Sequence, residues 1–330
     1  MNSAILLVDV ASAGRDSWKA FLQRHSYEVF TAKDGESAER QCLQLQPDLV
    51  LLYDNLPDVD GFDLCRRMKD NPLNQQVPIV LVKQSSNPAD AARGRAAGAA
   101  DFWGTYSSVA EALGRVQSLL RLKTYIDEQA KSVMLSLARS IEARHPLMNG
   151  HSERMVNYAL QLGRSLDLRD EDLQELRIAC LLHDIGKVAV PDEILLKPGS
   201  LNAAETRVVR QHPIVGVSIC APLKSLRRIL PAIRHHHERM DGSGYPDGLC
   251  GHQIPLLARI LQVADVYDAL ITDRPYRDAL SPEDALETLN REAAYGWLDD
   301  SLVGKFSQLC RYGGDYFPVR GRTMLASYYA

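Results

Sequence analysis

No stretch of this chain approaches the roughly 20 consecutive apolar residues that a membrane helix needs, so no spanning segment is expected. An excess of positive charge is missing too. The formal net charge is -4 over 330 residues, which argues against binding nucleic acid or a membrane surface through bulk charge. The six cysteines, Cys42, Cys65, Cys180, Cys220, Cys250 and Cys310, form no C-x-x-C pair. Scattered in this way, they read as free, mostly buried thiols in a reducing compartment. The first ten residues, MNSAILLVDV, hold a short apolar run without a basic segment before it or a small-residue cleavage site after it. They do not read as a signal peptide, and a cytoplasmic protein is expected. Internal repeats and low-complexity segments are absent as well.

What is present is an ordinary soluble composition, 45% hydrophobic and 24% charged, in a chain long enough for two domains. Ala4 to Val8, Asp48 to Leu52 and Pro78 to Val82 are short apolar runs, each followed by polar or turn residues. Helical spacing, as in Phe62 to Met68, lies between them. Buried strands alternating with helices imply βαβ units and a parallel sheet. Residues 107–143 carry no proline and one glycine. With Val109 as heptad position a, the a series is Val109, Val116, Lys123, Ala130 and Leu137, and the d series Ala112, Leu119, Ile126, Val133 and Ser140. This predicts a long helix, either a dimerising coiled coil or an amphipathic helix packed on one domain. His145-Pro146 ends it. Beyond residue 147 the strand signature gives way to helical patterning, with turn signals at Lys197-Pro198-Gly199 and Asp241 through Pro246.

The runs ILLVDV, PDLVLLYDNLPDVDGFDLCRRMK, VPIVLV and GAADFW, over roughly residues 3–121, resemble a response-regulator receiver domain. The resemblance implies a doubly wound, flavodoxin-like α/β fold. A working receiver needs an acidic pair for Mg²⁺, an acceptor Asp after the third strand, a Ser or Thr after the fourth and a Lys after the fifth. Here these positions read Asp9-Val10, Tyr53, Lys83 and Thr105. Mg²⁺ wants clustered oxygen ligands, and most of them are gone. Asp54 lies one residue from the acceptor position and is expected to point away from it. The domain reads as a degenerate receiver with no phosphoacceptor, kept for dimerisation or partner binding.

Seven of the nine histidines fall between positions 145 and 237. His183-Asp184 follows the apolar-spaced run Leu173 to Leu182. Burying such a pair is costly unless something neutralises it, and either a metal or a mutual hydrogen bond would do so. His151, His212, His236-His237 and Asp265 also sit at or near the ends of apolar segments. Five imidazoles and two carboxylates together point to a metal site. Mixed nitrogen and oxygen donors suit Fe, Mn, Zn, Co or Ni better than Mg or Ca.

HDIGK, RQHPIVG, HHERMDGSGYPDGL and ILQVADVYDALITDRPYR occur in that order. Over roughly residues 130–310 the chain is similar to the HD-GYP subgroup of HD-domain phosphodiesterases. The resemblance implies an all-α domain, a metal cluster, and hydrolysis of cyclic di-GMP to linear pGpG and in some cases on to GMP. By position it implies the ligands His151, His183, Asp184, His212, His236, His237 and Asp265. Asp184 would bridge two ions and a hydroxide between them would attack phosphorus. Two divalent transition-metal ions are expected, iron first, with manganese or another divalent metal as alternatives. Some relatives carry a Glu four residues before the first His, permitting a third ion. Leu147 stands there, and the segment from His145 to Met148 also departs from the family pattern, which favours a binuclear site. His145, His235 and His252 match no ligand position, and Glu238 is expected to orient a ligand histidine.

Lys187, in HDIGK, is assigned to a phosphate oxygen and to the leaving group, beside Asp184 as the second catalytic residue. Arg274 and Arg277 are assigned to substrate, arginine suiting phosphate and the guanine edge, and Asp268 either supports a metal ligand or joins them in contacting the guanine. The loop with Gly244, Tyr245 and Pro246 is expected to border the site without ligating metal. The division expected is 1–121 degenerate receiver, 122–146 helical linker and 147–330 HD-GYP domain. Expected partners are cyclic di-GMP, a second copy of the chain through receiver and linker, and a diguanylate cyclase or other signalling protein. Two alternatives stay open: an adaptor that binds the nucleotide without turnover, and a hydrolase of a different cyclic dinucleotide.

Overall fold

Strands that are apolar on both faces find enough burial only inside a covered parallel sheet, and the computed structural model builds one. It describes residues 3–10, 12–83, 88–104, 109–144, 150–273 and 278–312. The chain divides into two units, one essentially residues 1–131 and the other starting at Ser132. The first runs β1 (Ala4–Val8), α1 (Ser12–Arg24), β2 (Glu28–Ala32), α2 (Gly35–Leu45), β3 (Leu49–Tyr53), α3 (Gly61–Asp70), β4 (Ile79–Val82), α4 (Pro88–Ala96), β5 (Asp101–Trp103) and the start of α5 (Val109–Ala143). All strands are parallel, in the order β2-β1-β3-β4-β5, which is the doubly wound flavodoxin-like arrangement.

The three apolar runs are the three inner strands. Alternate side chains feed two cores. Leu6, Val8, Val50 and Leu52 meet Phe62, Leu64 and Met68 of α3 on one face. Ile5, Leu7, Leu49 and Leu51 meet Leu22 of α1 and Ala112, Val116 and Leu120 of α5 on the other. β2 and β5 were not marked by the apolar runs. They are the sheet's edges and carry half-exposed, mixed sequences. Asp34 and Asp60 start α2 and α3 by accepting hydrogen bonds from the free amides of the first turn.

Helix α5 spends the first part of its heptad pattern on the receiver core, where Ala112 and Val116 are buried, and Lys123 is buried against Asp127 at 2.5 Å. Farther along, Leu122, Ile126, Val133 and Leu137 are exposed. In the degenerate pocket, Asp9 is buried at the end of β1 and Tyr53 closes β3. The Lys83 ammonium stands 3.5 Å from Asp54 and 3.2 Å from Asp90. Asp54 therefore faces a fixed cation. Thr105 lies outside the described residues.

The second unit takes the end of α5 and then α6 (His151–Ser165), α7 (Asp170–Leu182), α8 (Asp192–Leu195), α9 (Ala203–Val209), α10 (His212–Cys220), α11 (Leu230–His235), α12 (Leu256–Ile271), α13 (Pro282–Ala294) and α14 (Asp300–Tyr312). No strand occurs among its described residues. Its core holds three aromatic rings edge to face: Tyr158 of α6 with Tyr267 of α12 (5.3 Å), and both with Phe306 of α14 (6.2 and 5.0 Å). That packing fixes α6 against α12, the helices that carry His151 and Asp265. Among the described residues no helix is long and apolar enough to cross a membrane. Leu147, and with it the segment 145–149, lies outside the described residues.

Candidate metal centre

Three of the histidines reach the site by one local device. His183 follows α7, His212 opens α10 after the end of α9, and His236 follows α11. Each donates its Nδ1–H to a carbonyl three residues back: Cys180 at 2.7 Å, Val209 at 2.8 Å and Ile233 at 2.7 Å. A carbonyl can only accept, so Nδ1 keeps the proton and Nε2 presents a lone pair inward. His151, at the start of α6, does the same with a carboxylate, its Nδ1 standing 2.7 Å from Asp268.

The inward nitrogens gather with two carboxylates into two groups. One is His151, His183 and Asp265; the other is Asp184, His212, His236 and His237. Within each, one donor atom per residue lies within 4.8 Å of all the others. All seven sequence-derived ligand candidates are in these groups. Asp184 touches both: Oδ2 is 3.3 Å from His183 Nε2 and Oδ1 is 3.3 Å from His212 Nε2. His151 Nε2 is 3.6 Å from Asp265.

The donors fit a bound cation better than they fit each other. His212 Nε2 and His236 Nε2 stand 3.2 Å apart. Both rings already protonate Nδ1, so two neutral rings would aim lone pair at lone pair. His151 Nε2 and Asp184 Oδ1 are buried without a hydrogen-bond partner, a costly state in the absence of a cation. Protonation is not the remedy. Burial, with the neighbouring imidazoles, holds His236 well below the usual imidazole value. Burial and His212 push His237 down to about 3. Burial also lowers His212. At His183 burial works against the proton, but the Asp184 charge outweighs it and raises the ring. Asp184 is buried as well, yet Lys187 and His183 hold it well below the carboxylate range. His212, His236 and His237, kept neutral beside the ionised Asp184, are in the forms that ligate metal.

Lys187 sits in a 3-10 turn, Ile185–Ala189, with its ammonium 2.5 Å from Asp184 Oδ2. It lines a cavity with His151, Asp184 and Glu142. The glycine between dyad and lysine is required by packing. A Cβ on Gly186 would lie 1.9 Å from the His212 carbonyl oxygen and 2.6 Å from Gly216 N. This close approach sets α10, and so His212, against Asp184.

Asp268 is buried. One oxygen takes His151, and Arg154 grips the carboxylate with two nitrogens at 2.6 and 2.9 Å. Arg274 and Arg277 lie outside the described residues. Glu238, expected to orient a histidine, is fully buried and instead accepts the amides of Asp247, Gly248 and Leu249 at 2.7 to 3.1 Å. It thereby folds the loop bearing Gly244, Tyr245 and Pro246. Tyr245–Pro246 is cis, and the Tyr245 ring lies on His237. His235 bonds Asp247 and His252 is exposed, away from both groups. Sequence reasoning passed over Arg154, Arg210, Arg239, Glu292 and Trp297. Only Arg154 left a signal there, standing one helical turn after His151.

A model of the HD domain matches residues 136–302, and a model of the response regulator receiver domain matches residues 5–103. The chain is 33% identical over 312 residues to the cyclic di-GMP phosphodiesterase response regulator RpfG of Xanthomonas campestris, covering 86% of this chain and 82% of that protein. It is 32% identical over 296 residues to a probable cyclic di-GMP phosphodiesterase of Vibrio cholerae, covering 78% and 67%. A 3'3'-cGAMP-specific phosphodiesterase of Vibrio cholerae is 41% identical over 163 residues, covering 48% of this chain and 35% of that protein.

Proposed function

The chain belongs to the HD-domain family, of the HD-GYP type with an N-terminal receiver, and from that premise we propose that it hydrolyses cyclic di-GMP to linear pGpG at a binuclear centre. The observation that carries the reading is the convergence of His212 Nε2 and His236 Nε2 at 3.2 Å, with both Nδ1 protons already committed to carbonyls. His151, His183 and Asp265 would hold one ion, His212, His236 and His237 the other, and Asp184 would bridge them. When bound, the ions would supply Lewis acidity and activate water at neutral pH. Iron is the metal we favour, manganese the first alternative.

The chain's own residues supply the rest. The oxygen of a water molecule bonds to phosphorus as the P–O3′ bond breaks, and the ribose oxygen leaves with a proton. Lys187, now paired with Asp184, is assigned to a non-bridging phosphate oxygen and to that proton, directly or through water. Asp268, held in place by Arg154, acts directly on His151 rather than on the nucleotide. Arg274 and Arg277 remain our assignment for substrate contact. With Leu147 in place of a further carboxylate, the product we propose is pGpG rather than GMP.

We divide the working protein into a degenerate receiver (1–121), a linker (122–146) and a catalytic domain (147–330), in the cytoplasm. A second copy of the chain pairs along the exposed Leu122, Ile126, Val133 and Leu137 of α5. Equal monomeric masses in solution for the full chain and for a fragment starting near Lys131 would remove that pairing. The loop at Tyr245 is our candidate for contact with a diguanylate cyclase.

Turnover of cyclic di-GMP by protein loaded anaerobically with Fe²⁺ or Mn²⁺ tests the reaction, with Asp184→Ala beside it. Metal-dependent pGpG, lost in the variant, is expected. Binding without turnover under either metal would make the protein an adaptor. The likeness to a 3'3'-cGAMP-specific enzyme puts mixed guanine–adenine dinucleotides into the same assay.

A further inference from the structure

A second cavity, open to solvent, lies beside the metal centre. His236, His237 and Asp265 of the metal centre form part of its wall. So do Arg210, Arg239, Glu292 and Trp297, for which the metal centre has no use. The Arg239 guanidinium lies 4.1 Å from the Trp297 ring centroid, and Arg210 lies 5.0 Å from that of Tyr245. Among the described residues, neither arginine and not the Glu292 carboxylate has an ion pair, and none of the three side chains makes a hydrogen bond. Two cations and a half-buried anion thus face one space with their hydrogen-bonding capacity unspent.

Their frame is rigid. The Trp297 amide donates to the Glu292 carbonyl at 3.0 Å, and the Met240 amide donates to the Trp297 carbonyl at 3.2 Å. The backbone therefore holds α13, the segment after it and the residue next to Arg239 in one register. Gln262, also in the wall, ties the same segment down by donating to the Glu238 carbonyl at 2.6 Å.

We propose that this cavity is a guanine subsite. Guanine presents two donors, N1–H and the N2 amino group, on one edge, and two acceptors, O6 and N7, on another. A carboxylate complements the first edge and a guanidinium the second. Glu292 reads N1–H and N2–H, and Arg239, braced on Trp297, reads O6 and N7. Adenine reverses the decisive positions. Its N1 lone pair would meet the carboxylate, and its N6 amino group would meet the guanidinium. Arg210, over Tyr245, is left for the phosphate between base and metal centre. A cyclic dinucleotide carries two bases, and this subsite takes one of them. The inference rests on the proposed reaction only in naming a guanine dinucleotide as the substrate; the subsite can be tested on its own.

The test is equilibrium binding of GMP and of AMP to the full-length, metal-loaded protein, unaltered and as Glu292→Gln. The unaltered protein is expected to prefer GMP by about tenfold to a hundredfold, the worth of one good bidentate contact. Glu292→Gln is expected to abolish most of that preference while metal content per chain stays the same. If that variant loses metal, Arg239→Gln reads the other edge and is expected to reduce the preference similarly. Equal affinities in the unaltered protein, or a preference surviving the substitutions, overturns the subsite. A protein that prefers GMP but does not hydrolyse cyclic di-GMP with either metal keeps the subsite and loses the proposed reaction.

Discussion

The phenol ring of Tyr245 is stacked on the imidazole of His237, with centroids 4.8 Å apart and planes inclined by 26°. The Tyr245 amide also donates to the His237 carbonyl at 3.2 Å. The loop is thus a cover that fixes one histidine of the second group from outside. It is the ring that makes the contact, so Tyr245→Phe should keep it and Tyr245→Ala should lose it. A stacked aromatic pair is worth about 0.5–1.5 kcal/mol, which in kcat/KM is about 2- to 10-fold. We expect the alanine variant to fall by that factor on cyclic di-GMP and the phenylalanine variant to stay within about twofold. Equal losses in the two would assign the work to the hydroxyl.

Glu238 holds the same loop from within. Three backbone amides point at its carboxylate in a fully buried position, and alanine would leave all of them unsatisfied. One such orphaned group costs about 1–3 kcal/mol. Glu238→Ala should therefore lower the thermal midpoint of the second unit by several degrees. Glu238→Gln keeps one accepting oxygen and should lie between. An unchanged midpoint in the alanine variant would mean that the loop is held by other contacts.

Gly186 is a contact between two backbones. The Cβ of an alanine would meet the His212 carbonyl oxygen and the Gly216 amide well inside van der Waals distance, and no side chain can turn aside to relieve it. The 3-10 turn and α10 must separate, which moves His212 from Asp184. Metal analysis of Gly186→Ala should give at most one ion per chain, where two are expected of the unaltered protein under the proposed binuclear centre. Two ions retained would show that the site tolerates the separation.

What was legible before the structure follows from what each signal depends on. The inner strands declared themselves because both of their faces are buried, whereas β2 and β5, exposed at the edges, did not. The clustered histidines and Asp184 were legible because short motifs anchor them where a helix ends or begins, whereas Asp265 lies inside α12 at the end of an apolar run. Glu238 and Asp268 were marked without their partners: a carboxylate near a candidate ligand histidine looks the same in sequence whether it turns to a histidine, to loop amides or to substrate. Glu292 and Trp297 were silent. Glu292 reads as one more polar residue of the amphipathic α13, and only the backbone pairing of Met240 with Trp297 brings it to Arg239. Heptad spacing on α5 could not say which part of the seam the receiver core would take.

The receiver pocket carries its own cation. Lys83 bridges Asp54 and Asp90, its ammonium held protonated above the usual lysine value chiefly by the bond to Asp90. A Mg²⁺ ion would have to displace it, with Asp9 left from the usual acidic pair. Incubation with acetyl phosphate and Mg²⁺ should leave the mass of the intact protein unchanged, and beryllofluoride should leave its thermal midpoint unchanged. A phosphoryl adduct in the first unit would reverse this reading and direct attention to Asp54.

Asp268 sets the tautomer of His151. Its carboxylate takes the Nδ1 proton at 2.7 Å and is itself fixed by both Arg154 contacts, so Nε2 is left as the lone pair that faces Asp265. Removing a partner of this kind from a metal-ligating histidine costs about 10- to 100-fold in metal affinity. Asp268→Ala should show that loss for one ion per chain in competition with a chelator, leaving the other ion in place. Asp268→Asn keeps an oxygen to accept the proton but gives up the charge, so it should fall between. Arg154→Lys, which cannot grip the carboxylate with two nitrogens in a fixed plane, should weaken the same ion by a smaller factor. If Asp268→Ala bound both ions normally and instead raised KM for cyclic di-GMP alone, the carboxylate would belong to the substrate after all. A loss of metal with KM unchanged in the remaining loaded fraction would fix its work on the histidine.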